Sequence, residues 1–376
     1  MVRIMVKRTS IVFLVIGFFF LSSAFGQEPS IKIGFIGQMT GGSAHLGQST
    51  FKGFKMFLDE YNEKGGIRGR RIEVVVDNDE GQPAKSVTAA NKQILKDEIV
   101  TGWATTNTPT CYAVIPVFKD YEVPHVTQCF SPGLTKAGSN YIFRIAPPVD
   151  TYPAAVYEWA AKNMGLKNVA IISDKGAYGQ TVGDEWENAA PKYGIKVITR
   201  ETINLEDKDF TGQLLKIKSL NAQAVAFGVN WELTMGLIAK NMRKLGMDTQ
   251  IVTGSLAIER YYEAGGKAAD GTIVALSFTG FAEPKERVEF SQRFKVKYGH
   301  EAGVMELWGF DGANIIALGL ERAYPNITRK NVYNGIASLS GIRLLQGVYD
   351  FKASQDGFRR AVLVKVVNGK GVLIQE

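Results

Sequence analysis

The chain has 376 residues with 44 Lys and Arg, 37 Asp and Glu, three His and two Cys, for a formal net charge of +7. Hydrophobic residues at 45% and charged residues at 22% exclude a disordered chain. The basic groups are spread along the sequence, which argues against a nucleic-acid partner, because phosphate binding needs a concentrated basic face.

Residues 1–26 read as a targeting segment. Arg3, Lys7 and Arg8 precede an apolar run from Ile11 to Leu21, and Ala24-Phe25-Gly26 supplies an A-x-G cleavage site, the layout of a secretory signal peptide. That run is shorter than the roughly 20 apolar residues that cross a bilayer. No later stretch comes near it, so the mature chain is expected to be soluble and not inserted in a membrane. Cleavage removes three of the seven net positive charges. What remains is too long for one core, since single cores stop growing near roughly 250 to 300 residues, and two lobes are expected. Cys111 and Cys129 are too few for a disulfide framework; in an exported protein they form one bond or stay as two small unpaired side chains. Neither lies at the cleavage site, where an acylated cysteine would become the new N-terminus, so the periplasm of a Gram-negative bacterium is favoured over a lipoprotein.

After Gln27 the pattern is strand, loop, helix, repeated. Ile31 to Ile36 predicts a strand, Ser49 to Lys64 a helix with Phe51, Phe54, Phe57, Leu58 and Tyr61 at helical spacing, and Arg71 to Asp77 a strand. Pro83 to Lys96 predicts a helix, Glu98 to Thr101 a strand, and Thr110 to Tyr121 a helix. A second series follows Pro147-Pro148. Its helices are Thr151 to Asn163, Gly179 to Lys192, Phe210 to Leu220 and Glu232 to Leu245. Its strands are Asn168 to Ser173, Lys196 to Ile203, Ala224 to Phe227 and Gln250 to Thr253. Ala282 to Leu339 is largely helical, and Val348 to Phe351 with Arg360 to Val367 predicts a closing antiparallel pair. Alternating strands and helices imply α/β architecture: two doubly wound parallel-sheet lobes, joined by a hinge, with ligand held where strands end. The expected lobes are 27–146 plus 277–346, and 147–276 plus 347–376, with crossings near Ala146, Leu276 and Gly347.

Enzyme chemistry finds no support. The glycines Gly34, Gly37, Gly41, Gly42 and Gly47 lack both the G-x-G-x-x-G and the P-loop spacing. His45, His125 and His300 are far apart, with no H-E-x-x-H, no C-x-x-C and no G-x-S-x-G elbow. No catalytic residue, metal or cofactor is expected, and Asp77 with Asp79 reads as strand-end and turn carboxylates. The run from Gly102 to Thr110 is more telling. It sets four threonines, Thr105 and Thr106 among them, between a strand and a helix start, where N–H groups and hydroxyls hold a carboxylate. The alternative is that the threonines cap the helix.

Several motifs together resemble the type I periplasmic solute-binding proteins of ABC importers, in particular the branched-chain amino acid (leucine/isoleucine/valine) binding proteins. They are Gly37-Gln38-Met39-Thr40-Gly41 with Gly47 and Gly53, Asn62-Glu63-Lys64-Gly65-Gly66-Ile67-Arg68-Gly69, Asp77 with Pro83, Asp174 to Gly179, Asp207 to Phe210, and Gly309 to Ala313. The resemblance covers essentially the whole mature chain and implies a small-molecule ligand between the lobes, a membrane permease as partner and a monomer. It also implies that Thr106, beside Thr105, holds the ligand carboxylate, with Cys129 and Ser131 on the next loop. Tyr178 would close from the second lobe, with Asn230 or Trp231 as a further contact. Two positions depart from the pattern: Leu256 stands where amino-acid binders carry a glutamate for the ligand ammonium, and Leu46 replaces an aromatic residue. A buried ammonium without a carboxylate is costly, so either Glu232, Glu259 or Asp311 substitutes, or the ligand is an amine-free acid in a pocket lined by Trp103, Trp231 and Trp308. The expected role is uptake of a small carboxylate-bearing solute; the alternative on the same fold is a ligand sensor reporting to a membrane regulator.

Overall fold

The computed structural model describes residues 29–41, 44–278 and 284–375. The expected signal peptide and part of the stretch after Leu276 lie outside them. Five parallel strands form the first sheet: β1 (Ile31–Gly37), β2 (Ile72–Asn78), β3 (Gly102–Ala104), β4 (His125–Thr127) and β5 (Ile142–Arg144), in the order β2-β1-β3-β4-β5. The helices α1 (Ala44–Glu63), α2 (Pro83–Leu95) and α3 (Thr108–Asp120) connect the first four. β1 is an interior strand, buried on both faces apart from Lys32, as a strand covered by helices on both sides must be.

The second sheet repeats this winding. After α4 (Thr151–Met164) come β6 (Asn168–Asp174), α5 (Ala177–Ala189), β7 (Lys196–Ile203), α6 (Thr211–Ser219) and β8 (Ala224–Gly228). They are followed by α7 (Glu232–Lys244), β9 (Gln250–Gly254), α8 (Ile258–Gly265) and β10 (Ile273–Leu276). The chain then returns to the first sheet as α9 (Lys285–Tyr298), α10 (Val304–Ala323) and α11 (Arg329–Ala337). It continues through a small ribbon, β11 (Ile342–Arg343) with β12 (Val348–Tyr349), and ends as β13 (Val362–Val367) and β14 (Lys370–Gln375). The second sheet runs β14-β13-β10-β9-β8-β6-β7, with β13 antiparallel to both β10 and β14.

Three expectations are corrected. Glu98 to Thr101 is a turn rather than a strand: Glu98 has φ 58°, Ile99 bonds back to Gln93, and β3 starts at Gly102, where an added Cβ would strike the Gly34 backbone. The two closing strands do not pair with each other. β12 pairs with β11, and β13 takes the unforeseen β14 as its partner. Finally, Tyr349, Phe351 and Phe358 sit in the core of the first sheet, so the chain leaves it after Phe358 rather than at Gly347.

Close packing explains several motif glycines. α1 and α10 touch backbone to backbone, and a Cβ on Gly53 or Gly309 would overlap the carbonyl of Glu306 or Thr50. Asn62 pairs its amide with both the N–H and the C=O of Ile72, fixing the start of β2 like an extra strand residue. These motif residues have a packing role in the fold.

The crossings are tied by ions. Arg144, fully buried at the end of β5, donates to Asp356 at 2.8 and 2.5 Å, to the carbonyl of Cys129 at 3.2 Å and to that of Ser131. Arg359 continues the chain, bonding Asp356 at 2.5 Å and Asp150 at 2.8 Å. Burial pushes the Arg144 guanidinium down, and Asp356 opposes that shift. A second knot forms where Asp311 of α10 accepts from the N–H groups of Leu345 and Gln346 and from Tyr349. Gln346 in turn donates to the Ile145 carbonyl at 3.0 Å.

Asp356→Ala leaves Arg144 buried without its counter-charge and is expected to cost about 3 to 5 kcal/mol in urea unfolding; replacing both residues by apolar ones should cost less. His125, fully buried in β4 against Phe118, has its imidazole pushed down to about 3 by burial. The unfolded histidine binds a proton near pH 6.5 and the folded one does not. Stability should therefore fall as pH drops from about 6.5 towards 3, by at most about 1.4 kcal/mol per pH unit from this group. Urea midpoints across that window should drop less steeply for His125→Leu than for the parent.

Candidate functional site

Each sheet reverses its winding between two neighbouring interior strands, β1 and β3 in the first and β6 and β8 in the second. Ligands of open α/β sheets bind at such switch points, beyond the carboxyl ends of the strands. Six of the residues singled out from sequence follow those four strands: Leu46 after β1, Thr105 and Thr106 after β3, Tyr178 after β6, and Asn230 and Trp231 after β8. Cys129 and Ser131 follow β4, and Leu256 follows β9.

In the first sheet the two neighbouring threonines differ. Thr105 has φ 60°, sparsely populated for a β-branched residue, and its hydroxyl turns inward to the Cys111 sulfur at 2.9 Å. The Trp103 indole N–H donates to its carbonyl. This turn presents Thr106, whose hydroxyl is buried and has no hydrogen-bond partner. Thr106 also lies beside the end of β1, its methyl 3.6 Å from where a Cβ on Gly37 would stand. The cap of α3 is Asn107, whose side chain accepts from the Thr110 N–H; Thr110 donates its own hydroxyl back to Asn107. Capping therefore leaves Thr106 uninvolved.

Cys111 and Cys129 are disulfide-bonded with Cα atoms 6.6 Å apart, joining α3 to the loop after β4. Arg144 holds that same loop through the Cys129 and Ser131 carbonyls, and the Ser131 hydroxyl meets Tyr112 at 2.9 Å. The loop is thus fixed by one covalent bond and by two hydrogen bonds from a guanidinium to its carbonyls.

On the second sheet, Asp174 accepts from the Gly176 N–H with one oxygen and from the Asn230 N–H with the other, both at 2.8 Å. It pins the Tyr178 loop to the Asn230 loop, and a Cβ on Gly179 would collide with it. Tyr178 is half-buried, and desolvation pushes its hydroxyl well up, with Tyr152 and Glu232 adding to the shift. Asn230 is exposed, and so is Trp231 at 46%. Leu256, at 6% exposure, belongs to the core between the sheet and α7 and α8. Half-buried Leu46 stands in the first turn of α1.

Trp103 and Trp308 are core residues. Trp103 stacks on Phe35, and Trp308 packs on Phe130 and donates to Gln346. Of the three candidate acids, Asp311 is engaged with Leu345, Gln346 and Tyr349 and Glu259 is exposed; Glu232 is half-buried in the first turn of α7. Sequence reasoning missed Tyr152, which starts α4 beside these loops, and Arg144. Their only signals were the prolines flanking the first crossing and an arginine ending an apolar strand. Among the described residues no cluster of His, Cys, Asp and Glu could hold a metal ion, and no helix is long and apolar enough to cross a membrane. A depression of about 390 Å³ beside Tyr324, Asn326 and Asn334 lies between the far ends of α10 and α11, away from these loops.

Thr106→Val keeps shape and removes the unpaired hydroxyl. If that hydroxyl donates to a ligand carboxylate, affinity should fall by about 1 to 3 kcal/mol by titration calorimetry, with thermal stability of the free protein unchanged or raised.

A family model for periplasmic binding proteins matches residues 30–371. A Leu/Ile/Val-binding protein homologue from Brucella melitensis is 31% identical over 308 residues, 81% of each chain. The fold matches a leucine-binding protein from Thermotoga maritima with TM-score 0.75 and 24% identity, covering 92% of this chain and 97% of that one. It also matches an ABC-transporter solute-binding protein from Rhodopseudomonas palustris, solved with 3,4-dihydroxybenzoic acid, with TM-score 0.75, 22% identity and coverage of 92% and 96%. With two sheets of the same winding, and glycines where α1 meets α10 and where α5 meets Asp174, the chain belongs to the periplasmic binding protein family.

Proposed function

We propose that this chain is the periplasmic substrate-binding component of an ABC-type uptake transporter. It captures a small carboxylate-bearing solute by closing two lobes and presents it to a membrane permease, as a monomer exported by the segment 1–26, and carries out no reaction itself. The lobes in this reading are the first sheet with α9 to α11 and the ribbon, and the second sheet with β13 and β14. The observation that carries the reading is the Thr106 hydroxyl, buried and unpaired at the switch point of the first sheet. A hydroxyl in that state costs about 1 to 3 kcal/mol unless a ligand acceptor meets it. The names of the relatives, which bind leucine, isoleucine and valine, support a carboxylate as that acceptor.

Closure is a shift between open and closed populations, driven by contacts the ligand makes to both lobes. Trp231 is the one exposed residue of the five tryptophans. It stands at the rim of the second sheet, so closure over a ligand should bury it.

Ligand-stripped protein lacking residues 1–26 should be screened by thermal shift against amino acids, aliphatic acids and aromatic acids. A ligand at about 100 times its Kd adds about 2.7 kcal/mol of stability. The same ligand should blue-shift tryptophan emission, and Trp231→Phe should abolish that shift while leaving binding measurable. Deletion of the gene should abolish uptake of that solute. If no carboxylate stabilises the protein, or deletion leaves uptake intact, the transport reading fails.

A further inference from the structure

We infer that Tyr152 is a ligand-binding residue of the second lobe, and that the ligand is a carboxylic acid without an ammonium group, carrying a second oxygen acceptor for the Tyr152 hydroxyl. This inference rests on the binding role proposed above and narrows its ligand class.

Tyr152 is only 3% exposed, and its hydroxyl has no hydrogen-bond partner. It stands in the first turn of α4, just past the first crossing, with its side chain against the backbone of Gly254. The hydroxyls of Ser255 and Ser277 face it without completing a bond of good geometry. Those serines follow β9 and β10, so the phenol lies at the carboxyl edge of the second sheet, where the second crossing also begins. Ser255 adopts φ 51°, a strained turn that brings its short side chain towards the phenol while Leu256 enters the core. Burial pushes Tyr152 up to about 12, so it keeps its proton at neutral pH and can donate. The site therefore offers two dry, unpaired hydroxyls, Thr106 on one lobe and Tyr152 on the other, and two acceptors on a ligand satisfy both.

The acids around these loops already have partners. Asp79 accepts from Gly81 and Ser86, Asp174 from Gly176 and Asn230, and Asp311 from Leu345, Gln346 and Tyr349. Two have capacity left: Asp150, whose Oδ2 accepts from Arg359 while its Oδ1 is buried without a partner, and Glu232. Glu232 begins α7, where the helix end already stabilises its charge, between exposed Trp231 and Leu233. An ammonium among Thr106, Tyr152 and the serines would meet hydroxyls first and would depend on Glu232, which acts on Tyr178, for a counter-charge; without one the arrangement costs several kcal/mol.

The test is titration calorimetry of the ligand-stripped mature protein with two matched pairs. L-leucine and 4-methyl-2-oxopentanoate share a carbon skeleton and differ in an ammonium against a carbonyl oxygen. Benzoate and 3,4-dihydroxybenzoate differ in the second acceptor. The amine-free member of the first pair should bind at least tenfold more tightly, or the dihydroxy acid should do so in the second pair, with leucine weak throughout. Tyr152→Phe, which removes only the hydroxyl, should weaken the tight ligand at least tenfold and change benzoate less than twofold; Ser255→Ala provides a second, milder variant of the same corner. Tighter binding of leucine, lost in Glu232→Gln, would overturn the inference and leave the transport role standing. So would unchanged affinity in Tyr152→Phe. Absence of binding by all four acids would overturn the inference and count against the carboxylate reading on which it rests.

Discussion

A guanidinium removed from water has to be matched donor by donor, and Arg144 is the place where this fold meets that demand. It ends β5, the last strand of the first sheet, and its partners come from three directions: the loop after β4, the segment before β13 and, through Arg359, the start of α4. Because an uncompensated buried charge is so costly, Arg144 holds the loop after β4 and the segment before β13 to one another. The loop expected to face the ligand is thereby fixed to the segment through which the chain changes sheets. The disulfide from Cys129 to Cys111 adds a covalent tie to α3, whose first turn follows Thr106. If this edge binds the ligand as proposed, these ties hold it in place before any ligand arrives, which reduces the ordering cost of binding.

The same logic of close contact explains which parts of the fold were legible in the sequence. Long elements with regular spacing, such as β1, α1 and α7, announce themselves through the burial their pattern requires. The motif glycines were legible as markers, and the structure gives them a cause: Gly53 and Gly309 let α1 and α10 touch, and Gly179 lets α5 cross Asp174. The strands β3, β4 and β5 are three residues each and contain Gly102, His125 and Arg144, residues that local propensity does not place in a strand. They are strands because neighbours pair with them: β3 and β4 on both sides, and β5 with β4 and, at Arg144, through a single bridge to Asp356. The last crossing was misplaced for a related reason. Gly347 reads as a breaker, whereas Tyr349, Phe351 and Phe358 follow it into the first core through contacts with residues some 200 positions earlier.

The site divides along the same line. A threonine between a short strand and a helix is visible in sequence as a donor, so Thr106 could be singled out, while the inward turn of Thr105 depends on a left-handed φ that sequence does not reveal. Tyr152, followed by Pro153 at a helix start, is indistinguishable from an ordinary core tyrosine until its hydroxyl is seen to lack a partner. Leu256 shows the converse. Its identity was legible as a departure from the resembled pattern, whereas its packing in the core beside α7 and α8 was not.

Under the proposed reading, the two unpaired hydroxyls also account for why closure would need a ligand. Both hydroxyls are buried in this arrangement, and moving the lobes apart would let water reach and satisfy them. Closing the lobes empty would strip that water from both while offering nothing in return, and each orphaned hydroxyl would cost about 1 to 3 kcal/mol. A ligand with an acceptor at each end removes both penalties at once, and only in the closed form, which is the differential interaction a population shift requires. The hinge need not be strained or sprung for this to work. It has only to keep the first edge rigid, as Arg144 does, so that the ligand's contacts to the second edge are made or lost as a unit.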